Sequence, residues 1–119
     1  MHTRHIAFAA ALLAISGSAA AQTAADARCI ILGNAFAKGA KDANAQKLAE
    51  ATIYFYLGRI AGQPTTAQMK AVMDQQAKTI TEANAGTLMQ ECALPVQSKV
   101  ALLESLNQQA APPATPPKK

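Results

Sequence analysis

The chain has 119 residues, a formal net charge of +4 and an apolar content of 50%. This length accommodates one small domain. Its 11 basic residues are interspersed with seven acidic ones. A nucleic-acid-binding surface requires clustered basic residues, so we expect no nucleic acid partner.

Residues 1–21 have the composition of a secretory signal peptide. A basic segment precedes the apolar residues 6–15, and Ala19-Ala20-Ala21 then supplies small residues for cleavage. The apolar run is shorter than the roughly 20 residues that span a bilayer. We expect cleavage near Ala21, which leaves 98 of the 119 residues as a periplasmic protein without stable membrane insertion. An uncleaved membrane anchor is the alternative.

The predicted mature chain has no histidine, because His2 and His5 both lie in the signal. Ser98 and Ser105 are its only serines, and without a histidine neither serine has the usual activating base. We therefore expect that the protein is not an enzyme and that it binds no cofactor and no metal. The remaining carboxylates are scattered, and each is interpreted as a solvated charge on a helix face: Asp26, Asp42, Glu50, Asp74, Glu82, Glu91 and Glu104.

The first predicted helix covers residues 24–38. Thr23 is its predicted N-cap, with Asp26 three residues later in capping-box register. Gly39 suits its C-terminal end. The residues that recur at helical spacing and define its inward face are Cys29, Leu32 and Phe36.

The second predicted helix covers residues 42–62, with Asp42 in its first turn. The segment 53–57 is apolar almost all round, which is typical of a central helix with several neighbours. Gly58 and Gly62 have the small-xxx-small spacing that allows another helix to approach closely.

Three consecutive aromatic residues in this helix, Tyr54, Phe55 and Tyr56, cannot share one face. We expect Phe55 in the core and at least one tyrosine at the rim. Arg59 could lie over an aromatic ring, pair with Glu50 or Asp74, or bind an acidic partner. The predicted partner-binding residues are Tyr54, Tyr56 and Arg59.

A third helix is predicted to begin with the capping box Thr65-Thr66-Ala67-Gln68. Whether it breaks near Gly86 before reaching Cys92 is left open by the sequence. Pro95 or Val96 is expected to begin a fourth helix. Residues 110–119 are rich in proline and predict a disordered tail. The predicted inward stripe of the fourth helix is Val96, Val100, Leu103 and Leu106.

The two cysteines, Cys29 and Cys92, are 63 positions apart. Redox-active pairs are usually close in sequence, as in C-x-x-C. In an exported protein this pair therefore predicts a structural disulfide, which chain-entropy reasoning credits with about 4 kcal/mol.

Together these features predict an all-α bundle of about four helices, held by one disulfide, in residues 22–109. This outline resembles the HdeA-type acid-stress chaperones of the bacterial periplasm, and also small periplasmic immunity and inhibitor proteins. The resemblance implies a protein-binding function in the periplasm, with acid loosening the fold in the chaperone case. A structural or accessory subunit of an envelope complex is the alternative, and the sequence leaves the oligomeric state open.

Overall fold

The computed structural model describes residues 14–60, 62 and 64–110, with side chains described from Ala20 onward. This part of the chain folds into four α-helices and contains no strand, which confirms the predicted all-α class. The start of the predicted signal, residues 1–13, and residues 111–119 of the predicted tail lie outside the described residues. The helices are α1 Ala14–Gly39, α2 Ala43–Arg59, α3 Thr66–Ala77 and α4 Ala85–Ala110.

Helix α1 begins at Ala14, upstream of the predicted start, so Thr23 lies inside the helix and the N-cap prediction is wrong. That prediction took Gln22 as the first residue, whereas here the alanine-rich residues before it continue the helix. Residues 20–22 are exposed, and the buried face begins at Asp26 and Ala27. Among the side chains described from Ala20 onward, those of α1 that are buried therefore all lie after the predicted cleavage site.

Helix α2 is capped by Asp42, whose carboxylate accepts a hydrogen bond from the backbone N–H of Ala45 at 2.8 Å. It ends at Arg59 rather than at residue 62. Its buried residues, Ala49, Thr52 and Tyr56, form one face that packs against α1 and α4.

The close approach of α1 and α2 occurs at Gly33, not at the predicted glycines of α2. A Cβ atom on Gly33 would lie 2.8 Å from Ile53 Cγ1 and 3.0 Å from the carbonyl oxygen of Ala49. A Cβ on Gly58 or Gly62 would meet nothing within 4 Å. The small-xxx-small pattern in α2 therefore has no packing role in this fold.

Helix α3 begins with the predicted capping box, in which Thr65 and Gln68 exchange hydrogen bonds. It packs on α1 and on neither of the other helices. None of its residues is fully buried. Its half-buried residues recur at helical spacing and are Met69, Val72, Met73 and Gln76, with Ile80 just after the helix.

The third helix ends at Ala77, so residues 78–84 form a turn and Cys92 belongs to the next helix. The turn is closed by reciprocal hydrogen bonds. The backbone N–H of Thr81 donates to Asn84 Oδ1 at 2.8 Å, and that of Asn84 donates to Thr81 Oγ1 at 3.3 Å. These bonds close the turn directly before α4, which begins at Ala85.

Helix α4 continues through Pro95, so the predicted break there is wrong. A proline inside a helix removes one hydrogen bond, here the bond to the carbonyl of Glu91. Glu91 is exposed, so water can replace the missing donor. Ser98 also bridges this turn, because its hydroxyl donates to the carbonyl of Leu94 at 3.1 Å.

Only the first half of α4 packs in the bundle. Its buried residues are Met89, Cys92, Ala93 and Val96, and every residue from 97 to 110 is exposed. The predicted inward stripe is therefore right at Val96 and wrong at Val100, Leu103 and Leu106. The helix extends past the end of the bundle, and these side chains have no neighbouring helix to cover them.

The predicted disulfide between Cys29 and Cys92 is present, with the two Cα atoms 5.5 Å apart. It joins the middle of α1 to the packed half of α4. The buried core surrounds this bridge and consists of Ile30, Leu32, Ala49, Tyr56, Met89 and Val96 together with the two cysteines.

Substitution at Gly33 tests the contact between α1 and α2. We expect Gly33→Ala to lower the free energy of unfolding by about 1–3 kcal/mol, because Ile53 and the α2 backbone must move to admit the methyl group. Gly58→Ala is the matched control and should raise that free energy by about 0.5–1 kcal/mol, since Gly58 is helical and unobstructed. Urea denaturation of both variants measures the difference. Equal effects would contradict the close approach at Gly33.

Candidate functional site

The three aromatic residues of α2 occupy three different environments. Tyr56 is buried, Phe55 is half-buried against the core and Tyr54 is 74% exposed. Their rings follow the rotation of the helix, and the rings of Phe55 and Tyr56 meet edge to face with centroids 5.0 Å apart. Among the predicted partner-binding residues, Tyr54 has the most accessible side chain. Partner binding by Tyr54, Tyr56 and Arg59 stays a prediction.

Tyr56 connects α2 to α4 beside the disulfide. Its hydroxyl donates to the carbonyl oxygen of Cys92 at 2.8 Å in a buried environment. Cys92 is also bonded to Cys29 of α1. Three helices are thus joined at Cys92, by one covalent bond and one buried hydrogen bond.

Arg59 lies close to both aromatic rings and to a buried carboxylate. Its guanidinium carbon is 5.5 Å from the ring centroids of Phe55 and Tyr56, as one sequence interpretation proposed. Its Nε is 3.6 Å from Asp26 Oδ2, so the ion pair is formed with α1 rather than with Glu50 or Asp74. The ion pair of Asp26 and Arg59 therefore links α1 to α2.

Asp26 corrects the interpretation that every carboxylate is a solvated helix-face charge, because it is only 2% exposed. A buried carboxylate needs a charge partner and hydrogen-bond donors. Arg59 is that partner, and the Gln22 amide donates to Asp26 Oδ1 at 3.2 Å. The sequence gives little indication of this ion pair, because Asp26 is 33 positions from Arg59 and only the fold brings the two together.

Burial raises the pKa of the Tyr56 hydroxyl above its ordinary 10.0. The nearby Arg59 charge opposes this shift and the Asp26 charge adds to it. The folded protein therefore holds this proton at pH values where the unfolded chain has lost it. Stability from this group is fully present below pH 10.0, and falls as the pH rises through the raised value.

A surface groove lies between the end of α1, the start of α2 and the first half of α4. Its volume is ≈ 880 Å³. Its larger apolar side chains are Phe36, Leu48, Met89 and Leu94. Two glutamines, Gln90 and Gln97, also line it, and alanine or glycine residues from all three helices form most of the rest. Small residues let an incoming chain approach the backbone closely, so this groove can accept apolar side chains.

Two residues at the groove are apolar and open to solvent. Phe36, predicted as core, is 40% exposed, and Leu94 is 62% exposed. Lys38 and Lys41 flank the groove residues Gly39 and Ala40, and both lysines are exposed. The groove therefore exposes apolar side chains, and two exposed lysines are adjacent in sequence to its lining residues.

The sequence does not predict the groove. Leu94 lies directly before the expected start of the fourth helix at Pro95 or Val96, and Phe36 continues the predicted inward face of α1. No carboxylate, lysine, arginine or cysteine is among the described residues that line the groove. The described lining therefore supplies no ionisable general acid or base.

The chain matches no protein family model, and neither the curated proteins nor the solved structures contain a significant match. Across the described residues, no helix has both the length and the hydropathy needed to cross a membrane. Any functional inference therefore rests on the groove and on the residues around Cys92.

Titration of Tyr56 tests its buried hydrogen bond. In Tyr54→Phe, Tyr56 is the only tyrosine, so tyrosinate absorbance reports on it alone. We expect a midpoint above 10.0 in the folded protein, because burial disfavours the phenolate, and a midpoint near 10.0 in denaturant.

The complementary variant Tyr56→Phe should lose about 1 kcal/mol of stability at neutral pH, since the carbonyl of Cys92 loses its donor. Its free energy of unfolding should also depend less on pH above 10.0 than that of the wild type. A folded-state midpoint at or below 10.0 would contradict the buried hydroxyl.

Proposed function

We propose that the protein binds another polypeptide in the periplasm, with the groove between α1, α2 and α4 as the binding site. The observation that carries this proposal is the uncharged groove, with Phe36 and Leu94 open to solvent at its surface. Exposed apolar residues gathered at one concave surface are typical of protein contact sites. The periplasmic location comes from residues 1–21, and the disulfide is compatible with it.

The partner segment that fits best is a helix or an extended chain with two or three apolar side chains. Small residues such as Ala49 and Ala93 leave room for those side chains. Lys38 and Lys41 favour acidic residues beside the apolar ones. An inhibitor or immunity-type protein would take one such partner, whereas a chaperone would take many.

Capture of partners from a periplasmic extract tests this proposal. We expect the wild type to retain one partner in stoichiometric amount, and Leu94→Glu to lose it, because the substitution places a carboxylate in the apolar groove. Leu102→Glu is the matched control. It is also an exposed leucine of α4, lies outside the groove and should retain the partner. Equal retention by both variants would contradict the groove as the binding site.

A stress chaperone is the second candidate, and it is favoured by the ion pair between the buried Asp26 and the partly exposed Arg59. Loss of the negative charge on Asp26 would leave Arg59 without this partner and would loosen the contact between α1 and α2. Apolar surface near the junction would then become accessible to unfolded proteins.

The variant Asp26→Asn removes this charge. We expect it to bind more hydrophobic dye than the wild type at neutral pH, because the contact between α1 and α2 is loosened. Asp74→Asn is the control, because Asp74 is exposed and pairs only with the exposed Lys70. Failure of the wild type to suppress aggregation of an unrelated protein at about pH 3 would remove the chaperone candidate.

A further inference from the structure

The free half of α4, residues 97–110, presents apolar side chains that the bundle does not cover. Val100, Leu103 and Leu106 are 42%, 58% and 51% exposed. Isolated helices of this length are marginal in water, and most helices in proteins are stabilised by packing of an apolar face. The sequence of the free half is therefore typical of a helix whose apolar face packs on another surface, which the bundle does not supply.

The uncovered side chains continue the face by which α4 packs in its own bundle. Met89, Ala93, Val96, Val100 and Leu103 follow one another in alternating steps of four and three residues. This is the spacing of a helix–helix seam. The first three are buried against α1 and α2, and the last two lie beyond the bundle on the same side of the helix. Val100 and Leu103 occupy the a and d positions of that seam.

The charges of the free half disfavour a lipid surface. Residues 97–110 contain one base, Lys99, and one acid, Glu104, so this segment has no net charge. Helices that lie on membranes have a polar face rich in lysine and arginine. A neutral apolar stripe instead suits a protein surface that is also neutral, and the free half of a second copy has that property.

We propose that the free half of α4 pairs antiparallel with the free half of α4 in a second copy of the chain. A parallel pair is sterically blocked, because the same face of α4 is already packed on α1 and α2 at Val96 and before it. In the antiparallel pair, each bundle lies beyond the end of the other copy's helix. The tip of one α4 then abuts the end of the other bundle.

The antiparallel pair is symmetric and brings complementary residues together. A two-fold axis between residues 101 and 102 places Val100 of each copy against Leu103 of the other, as an isologous contact requires. At this register Lys99 lies level with Glu104 of the second copy, and Leu106 lies level with Gln97. No charge meets a like charge across the axis.

The contact is small, so the dimer is weak. Residues 97–110 span about 21 Å at a rise of 1.5 Å per residue. Two such segments bury less than the roughly 1,200 Å² at which standard protein interfaces begin. We expect a dissociation constant on the order of tens of micromolar. Val100 and Leu103 are not groove residues, and Gln97 is the one residue of the described groove lining that the free half contains. The dimer therefore does not depend on the proposed function.

Sedimentation equilibrium of the exported protein over a range of concentrations tests the pairing. We expect reversible dimers of the wild type and at least about a tenfold weaker association for Leu103→Gln, which loses a central apolar contact. Leu102→Gln is the matched control, since Leu102 is similarly exposed but points about 100° away around the helix, and it should dimerise normally. A monomeric wild type, or equal weakening by both variants, would overturn the proposal.

Cysteine crosslinking tests the orientation. A mixture of Val100→Cys and Leu103→Cys chains should form disulfide-linked dimers faster than either variant alone, because these positions face each other only across an antiparallel pair. Leu102→Cys supplies the background rate of random collision. Faster crosslinking of each variant with itself would indicate a parallel pair and overturn the proposal, as would a mixture no faster than the background.

Discussion

The bridge between Cys29 and Cys92 is the constraint on which the rest of the structure depends. Helix α4 does not contact α3, and only Met89, Cys92, Ala93 and Val96 are buried along its length. A helix with so short a packed segment gains little from apolar burial alone. The covalent bond to α1 and the hydrogen bond from Tyr56 of α2 both act at Cys92. The position of α4 is therefore set at one residue by two different interactions.

Both proposed surfaces follow from that attachment. Where α4 is held against α1 and α2, its side forms one wall of the groove, and Leu94 remains open two residues after the cysteine. Where α4 leaves the bundle, its seam continues into solvent at Val100 and Leu103. The proposed groove and the proposed self-association surface thus belong to one helix but use different stretches of it, since Met89, Ala93 and Leu94 line the groove and Val100 and Leu103 lie past the end of the bundle. Loss of the bridge would affect both.

The sequence predicts correctly those features of the fold that depend on neighbouring residues, such as helix caps and helix ends. The capping box at Thr65 and the helix end at Gly39 are confirmed, because each depends on backbone groups a few residues away. Asp42, predicted in the first turn of the second helix, is the N-cap of that helix. The errors arise from tertiary context. Pro95 is tolerated inside α4, Asp26 is buried because the fold supplies Arg59, and periodicity alone could not tell that the stripe after Val96 lies past the end of the bundle. The groove escaped prediction for the same reason, since its lining comes from three separate helices.

Hydrogen exchange in the oxidised and reduced protein is the most direct test of the role given to Cys92. The account predicts that the amides of residues 89–96 are protected in the oxidised form. On reduction they should lose protection to a greater extent than the amides around Ala49 and Thr52, where α2 packs on α1 by apolar contact and by Gly33. Unchanged protection of residues 89–96 after reduction would show that packing alone holds α4, and would contradict the account.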